Sequence, residues 1–484
     1  MEDNSIKLNV LKNLFWKFME RGGSQIIQFI VQILLARLLL PEDFGLIAIL
    51  TIFINLSNTV IQSGFNMALV QRKNVDEVDY SSVFYLSFGL SGIIYILLFL
   101  SAPFIGSFYK EPQLVSLLRV LSILLFFGAF ISIQTAIVSR RMEFKKLFLS
   151  SLGGLVISGI SGVVLAYNGF GVWALVYQQI INQVILLIIL YFTVKWRPRL
   201  VFSIKRVKLL FSFGWKILLS QLLYNLYNDT RTLLIGKVFS SQLLGFYNRG
   251  SQLPELIVGN INGSIQSVML PAFARQQDNK LRLKTMMRRS IIMSSYIVFP
   301  LMSGLFVVAE PLVHVLLTDK WLPSVPFIRI FCVAFALIPI HTSNQQAINA
   351  LGRSDISLKL NIIKRLVDFT VLGITVNMGI YAIAFGGIIS GIIGSFINAY
   401  PNKKILNYGY IEQMKDIMPS LLSSLIMGLI VYSIQFIEMC VWQTLIFQII
   451  AGILLYYLIS RIFRLESHEY LIQTLREYIL SRKV

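Results

Sequence analysis

About fourteen apolar stretches, each long enough to cross a bilayer, follow one another from Leu14 to Ile459. A span needs about 20 consecutive apolar residues, and no segment between these stretches is long enough to fold as a soluble domain. Composition agrees: 56% of the residues are hydrophobic, 14% are charged, and the mean hydropathy is +0.72. The expected fold class is an all-α polytopic membrane protein. Its work is done inside the bilayer, which leaves transporter, channel, receptor or intramembrane enzyme.

A net charge of +20 over 484 residues would suggest nucleic acid if it were spread over one surface. Instead most Lys and Arg fall at the termini or in alternate loops, as positive-inside topology requires. Counting from Lys7, Lys12, Lys17 and Arg21, every second loop is basic. These loops are Arg72-Lys73, Arg140 to Lys146, Lys195 to Lys208, Arg275 to Arg289, Arg353 to Arg365, and Lys403-Lys404. Both termini are then cytoplasmic and the number of spans is even. Membrane lipids are expected partners and nucleic acid is not. Cys332 and Cys440, with His314, His341 and His468, lack metal-ligand spacing, so no metal and no cofactor is expected. The N-terminus shows no small-residue cleavage site after a short apolar core, so the first helix stays.

An internal repeat organises the chain. Arg37 followed by Phe44-Gly45 returns as Lys237 followed by Leu244-Gly245, a shift of 237 − 37 = 200. In that register Thr51, Asn55, Gln62 and Asn66 match Ser251, Glu255, Asn262 and Gln266. Arg119 ahead of Gln134 and Arg140 matches Arg329 ahead of Gln345 and Arg353, and Gly171 to Ala174 matches Gly379 to Ala382. The repeat predicts two pseudo-symmetric six-helix lobes, 1–200 and 201–402, related by an axis along the membrane normal. Two further helices follow at 403–460. A cytoplasmic amphipathic tail covers 461–484, with Leu471, Leu475, Tyr478 and Ile479 at helical spacing. The linker Leu200 to Phe211 reads either as an interfacial helix or as a strap between lobes.

Polar residues carry the functional signal. The second span places Asn55, Asn58, Gln62 and Asn66 on one helical face, and the eighth places Gln252, Glu255, Asn262 and Gln266 likewise. An amide facing hydrocarbon is costly unless paired, so these faces turn to other helices or to water. Interhelical hydrogen bonding explains a single such residue, whereas two matched stripes point to the walls of a hydrated cavity. The seventh span adds Asn225, Asn228, Asp229 and Arg231. Arg37, Arg119, Arg249 and Arg329 sit near expected outer helix ends. Snorkelling to the interface accounts for any one of them. Together with Arg231 they make a positive potential, and the arginine fork fits phosphate oxygens. The implied ligand is an anion, and pyrophosphate is the natural one in a membrane. Candidates for ion coupling are Asp229, Glu255 and Glu20. No phosphate loop, HExxH sequence, nucleophile elbow or outer loop with paired carboxylates supports an enzyme.

The stretch Ala36 to Leu46, then Gln71-Arg72-Lys73, then Leu244-Gly245-Phe246-Tyr247-Asn248-Arg249 resembles the polysaccharide exporters related to O-antigen and colanic-acid flippases. These belong to the multidrug/oligosaccharidyl-lipid/polysaccharide exporter superfamily. The resemblance spans nearly the whole chain. It implies two six-helix lobes with two extra helices and a cavity that opens alternately to each side. It also implies a bacterial plasma (inner) membrane protein that moves a glycan on undecaprenyl pyrophosphate outward, with a polysaccharide polymerase or glycosyltransferases as partners. No binding residue transfers from the family to a position here; the site residues rest on charge and depth. Two alternatives stay open, an ion-coupled drug or metabolite exporter and an intramembrane glycosyltransferase or polymerase.

Overall fold

In hydrocarbon every backbone N–H and C=O has to be paired within its own segment or a closed sheet. The computed structural model describes Trp16 and residues 19–62, 64–72 and 74–481, and every regular element among them is a helix. Two compact units divide the chain, Met1–Gly245 and Phe246–Val484. In the first, α1 (Ser24–Leu38) is followed by α2 (Pro41–Gln62), α3 (Phe65–Gln71), α4 (Glu77–Tyr109) and α5 (Gln113–Leu121). Then come α6 (Leu124–Arg141), α7 (Phe144–Tyr167), α8 (Val172–Val194) and α9 (Ile204–Val238). The helix α10 (Ser241–Ala274) leads into the second unit, which holds α11 (Lys280–Leu317), α12 (Val325–Ala336), α13 (Ile338–Ala350) and α14 (Ser354–Thr375). It ends with α15 (Ile380–Leu406), α16 (Tyr410–Ser433), α17 (Val441–Ile462) and α18 (Glu466–Ser481).

Ten spans among the described residues are long and apolar enough to cross a membrane, or eleven when α9, bent by 55° between Ser212 and Gly214, is counted as one. The sequence led to an expectation of about fourteen. Three helices make the difference. The 15-residue α1 is short, while α10 and α14, of 34 and 22 residues, are too polar. The expected second span is also two pieces, since α2 stops at Gln62 and α3 starts after Gly64, whose φ is 69°. Two further expected spans are interrupted more mildly, one between α5 and α6 and the other at Leu337 between α12 and α13, where the backbone stays in the right-handed helical region and each pair still makes one span.

Several residues read as loop cations lie in helices. Arg282, Arg288 and Arg289 belong to α11, and Lys359, Lys364 and Arg365 belong to α14. Lys364 stands 364 − 354 = 10 residues inside that helix, about 15 Å from its start at 1.5 Å per residue. The repeat assigned 204–238 to the second lobe, yet α9 packs on α2, α3 and α4 of the first unit.

The linker between α8 and α9 is a strap on the start of α4. Trp196 is buried, and its Nε1 donates to Glu77 Oε2 at 3.0 Å. The backbone N–H groups of Arg199 and Ser203 donate to Ser81 Oγ and Ser82 Oγ at 3.0 and 2.9 Å. Beneath the strap, Asp79 is fully buried and holds Arg72 at 3.1 Å and Arg206 at 3.6 Å. It also closes the α4 capping box with Asp76, accepting from Asp76 N while Asp76 Oδ1 accepts from Asp79 N. Phe65, Phe84, Ile133, Leu190, Trp196 and Leu210 fill the core around it.

Gly45 and Gly245 allow two backbones to touch. A Cβ on Gly45 would collide with the Ser241 carbonyl, and a Cβ on Gly245 would collide with the Pro41 carbonyl. The two contacts are reciprocal under the shift of the repeat, 245 − 45 = 241 − 41 = 200.

In the second unit α18 is pinned by its first turn. Arg288 Nη1 and Nη2 donate to the two carboxylate oxygens of Glu466 at 3.0 and 2.9 Å, and its Nε donates to Asp416 at 3.0 Å. His468 is buried, with Nδ1 3.0 Å from the Tyr296 hydroxyl. The hydrogen bonds from Arg288 hold the Glu466 carboxyl below the usual range. A carboxylate lowered in this way contributes fully above its unfolded pKa, about 4.3, and its contribution fades as pH falls through the lowered value. Arg288→Ala should therefore free the tail, seen as several-fold faster proteolysis after residue 466 at neutral pH. The intact protein should reach that rate only in acid. The side chains of Leu475, Tyr478 and Ile479 lie outside the described residues.

Candidate functional site

The second-span amides meet others around one space inside the first unit. A cavity of about 540 Å³ is lined by Asn55, Asn58, Thr59, Gln62 and Asn66 on the α2–α3 side. Ser132 and Thr135 reach it from α6, Gln183 from α8, and Gln221, Asn225, Asn228 and Asp229 from α9. Helical spacing builds each wall, because residues three and four apart stand over one another. Asn225 Nδ2 donates to Thr59 Oγ1 at 2.9 Å, and that hydroxyl donates to the Asn55 carbonyl at 2.8 Å. Among the described residues no partner reaches the buried Asn58 Oδ1. The polar part of the wall is thus amide and hydroxyl, with one carboxylate, and Gly128 and Ile131 of α6 complete it. Such groups both donate and accept, which matches the hydroxyls of a sugar.

Sequence reading missed Thr59, Ser132, Thr135 and Gln183. A signal for the last three was present: Ser132 and Thr135 are one turn apart, and Gln183 interrupts one of the most apolar helices of the chain.

The expected cations do not converge on this space. Arg231 is half-buried on α9, one turn beyond Asn228, and is not among the residues that line the cavity. Arg37 is exposed at the end of α1. Arg119 lies over the Phe99 ring at 4.2 Å, and its Nε donates to the Phe99 carbonyl at 3.3 Å. Arg329 repeats this in the second unit, over Phe306 at 5.8 Å, with Nε 3.4 Å from the Phe306 carbonyl and Nη2 3.4 Å from Glu310. Arg249 is 7% exposed, 5.1 Å over the Trp321 ring, and donates to Gln252 Oε1 at 2.7 Å. These three arginines are engaged by their own units, each over an aromatic ring.

The eighth-span stripe lies on α10. Gln252 is taken by Arg249, Glu255 and Gln266 are exposed, and Asn262 Oδ1 is buried without a partner among the described residues. The Glu20 side chain lies outside the described residues. Among the described residues no group of three or more His, Cys, Asp and Glu is arranged to hold a metal ion.

A family profile described as "Polysaccharide biosynthesis protein" matches residues 34–326. The teichuronic acid biosynthesis protein TuaB of Bacillus subtilis is 26% identical over 391 residues, 78% of each chain. The succinoglycan biosynthesis transport protein ExoT of Rhizobium meliloti is 24% identical over 332 residues, 68% of this chain and 67% of that one. In fold the chain is similar to the lipid II flippase MurJ in an inward closed conformation. The TM-score is 0.74 at 18% identity, covering 93% of this chain and 98% of the other.

Proposed function

The chain belongs to the polysaccharide biosynthesis protein family, and on that footing we propose that it is a flippase for an undecaprenyl-pyrophosphate-linked oligosaccharide in the bacterial plasma membrane. The observation that supports this reading best is the amide- and hydroxyl-lined cavity. A polar glycan cannot cross about 30 Å of hydrocarbon unaided, and such a wall replaces its lost hydration. Arg231, one turn from that wall, is the cation assigned to the pyrophosphate, with the other expected arginines drawing it in. The fourteen-helix count, with lobes at 1–200 and 201–402 and both termini cytoplasmic, completes the proposal. It takes α1, α10 and α14 as spans despite their length or polarity.

Two measurements test it. Arg231→Ala should abolish complementation of a flippase-deficient strain at near-normal membrane abundance, and Arg231→Lys should restore only part, because the ammonium loses the fork. Loss of the alanine variant from the membrane would make the residue structural. An abundant, fully active variant would remove the anion assignment. For topology, the exposed Cys440 is first replaced by serine, and single cysteines at Lys404 and Lys110 should label from opposite sides. Labelling from one side overturns the span count.

Asp229 in the cavity wall favours a second reading, an ion-coupled exporter. Under it, Asp229→Asn abolishes transport while Arg231→Ala does not.

A further inference from the structure

Away from the cavity, in the second unit, a histidine within a candidate span is held by groups that fit either of its protonation states. His341 lies in the first turn of α13, just past the break at Leu337. Its Nδ1 accepts from Asn398 Nδ2 at 3.1 Å, and its Nε2 is 3.2 Å from Ser395 Oγ. The Ser395 hydroxyl donates onward to the Gly391 carbonyl at 3.0 Å, so it accepts from Nε2–H. This is the neutral imidazole. It leaves one oddity, since Asn398 is 1% exposed and its Oδ1 has no partner among the described residues. A half-turn of that amide puts Oδ1 opposite Nδ1, where it would accept from a protonated ring. The amide therefore has a ready arrangement for the imidazolium, and in the neutral form one of its acceptors is idle.

A cation stands close by. A methyl group on Gly394 would be 3.1 Å from His341 Cε1 and 3.8 Å from Lys364 Cδ, so ring and lysine stem reach the same glycine. Lys364 is the residue found ten positions inside α14, and Arg365 and Asp368 follow it on that helix. From α15 the ring meets Ser395 and Asn398, neither ionisable. From α11 the contact to α13 runs through Ser290 and Ser343, while the ionisable Arg288 and Tyr296 of α11 are engaged by Asp416, Glu466 and His468, and Arg289 lies over the Tyr470 ring at 5.5 Å. The charge facing His341 thus comes from α14.

We propose that His341 is a proton-binding site within the second unit and that the ammonium of Lys364 governs its loading. The proton adds to the Nδ1 lone pair, the Asn398 amide turns to accept it, and Nε2–H stays on Ser395. Repulsion from Lys364 opposes loading and eases whenever an anion or a movement of α14 offsets that charge. This goes beyond the glycan reading and does not depend on it.

The test needs no substrate. The chain has three histidines, so the full-length protein in detergent, labelled with [15N]histidine, gives three imidazole signals. His341 is assigned as the one that survives in both His314→Gln and His468→Gln. The expected result is an Nε2–H neutral ring at high pH that gains a second proton reversibly within about pH 4 to 8. Lys364→Gln, or Lys364→Met if the amide variant does not fold, should move the midpoint upward by about one pH unit. A His341 signal unchanged across that range in every variant overturns the site. A midpoint indifferent to Lys364 overturns its control by lysine.

Discussion

Asp79→Ala should be among the most damaging single changes in the first unit. The carboxylate is fully buried between Arg72 and Arg206, and Arg140 donates to the Arg72 carbonyl and to that of Leu69 beside them. Removing it takes the counter-charge from Arg72, leaves Arg206 with Asp76 alone, and opens the α4 capping box. Breaking a buried pair from one side costs about 3–5 kcal/mol. The lower end applies here because Arg206 is 39% exposed and partly screened. Asp79→Asn keeps the shape and an oxygen for the cap, so it should lose about half as much. The strap at 195–203 depends on the same helix start. Size-exclusion after heating should show a clear fall in aggregation temperature, and trypsin should cut at Lys195, Arg197 or Arg199 faster. An Asp79→Ala protein with unchanged melting and unchanged cleavage would show that Arg72 and Arg206 do not rely on it.

Gly45→Val and Gly245→Val should each abolish function. Both place side-chain carbons where a backbone carbonyl already lies, at Ser241 and Pro41 respectively. Backbone cannot swing aside as a flexible side chain does, and overpacking of this kind costs about 1–3 kcal/mol or more. Because the two contacts form one reciprocal approach, the first substitution already separates the strands of chain that the second would separate. The double variant should then be little worse than either single one, a strongly non-additive cycle. Complementation measures the loss in each single variant, and the aggregation temperatures of the three purified proteins measure the cycle. Full additivity would mean that the two glycines act independently.

The spacing of Asn55, Asn58, Gln62 and Asn66 made one wall of the cavity legible, because a period of 3.6 needs no knowledge of partners. The opposite wall was half legible, since Gln221, Asn225, Asn228 and Asp229 share α9, but the repeat placed that helix with the second lobe and so did not bring it to α2. What packs on what is decided by contacts far apart in sequence. Arg249 shows the limit most clearly. Charge and depth made it a candidate ligand for an anion, whereas the ring it lies over, Trp321, is 321 − 249 = 72 positions away. The loop cations failed for another reason. Hydropathy marks where a helix is apolar, not where its hydrogen bonds end, so Arg288 and Lys364 were read as loop although α11 and α14 run through them. His341 was set aside with the other histidines because no metal spacing surrounds it. Its partners, Ser395 and Asn398, are more than fifty positions away in sequence.

The polarity of α10 and α14 has a consequence for how the protein is made. A segment partitions into the bilayer from the translocon by its own hydrophobicity, with central Asp, Lys and Arg each opposing entry by about 2.5–3.5 kcal/mol. Judged one at a time, α14 with Lys359, Lys364, Arg365 and Asp368 would be released to water. It is followed at once by the apolar α15, on which it packs. Under the proposed fourteen-span reading, insertion as a hairpin with α15 solves the problem, because the polar face is then covered as it leaves the translocon. A chain truncated after Thr375 should consequently leave its last helix outside the membrane, and one truncated after Leu406 should not. Under that reading the least hydrophobic helices should set the pace of insertion, each held at the translocon until a neighbour covers its polar face.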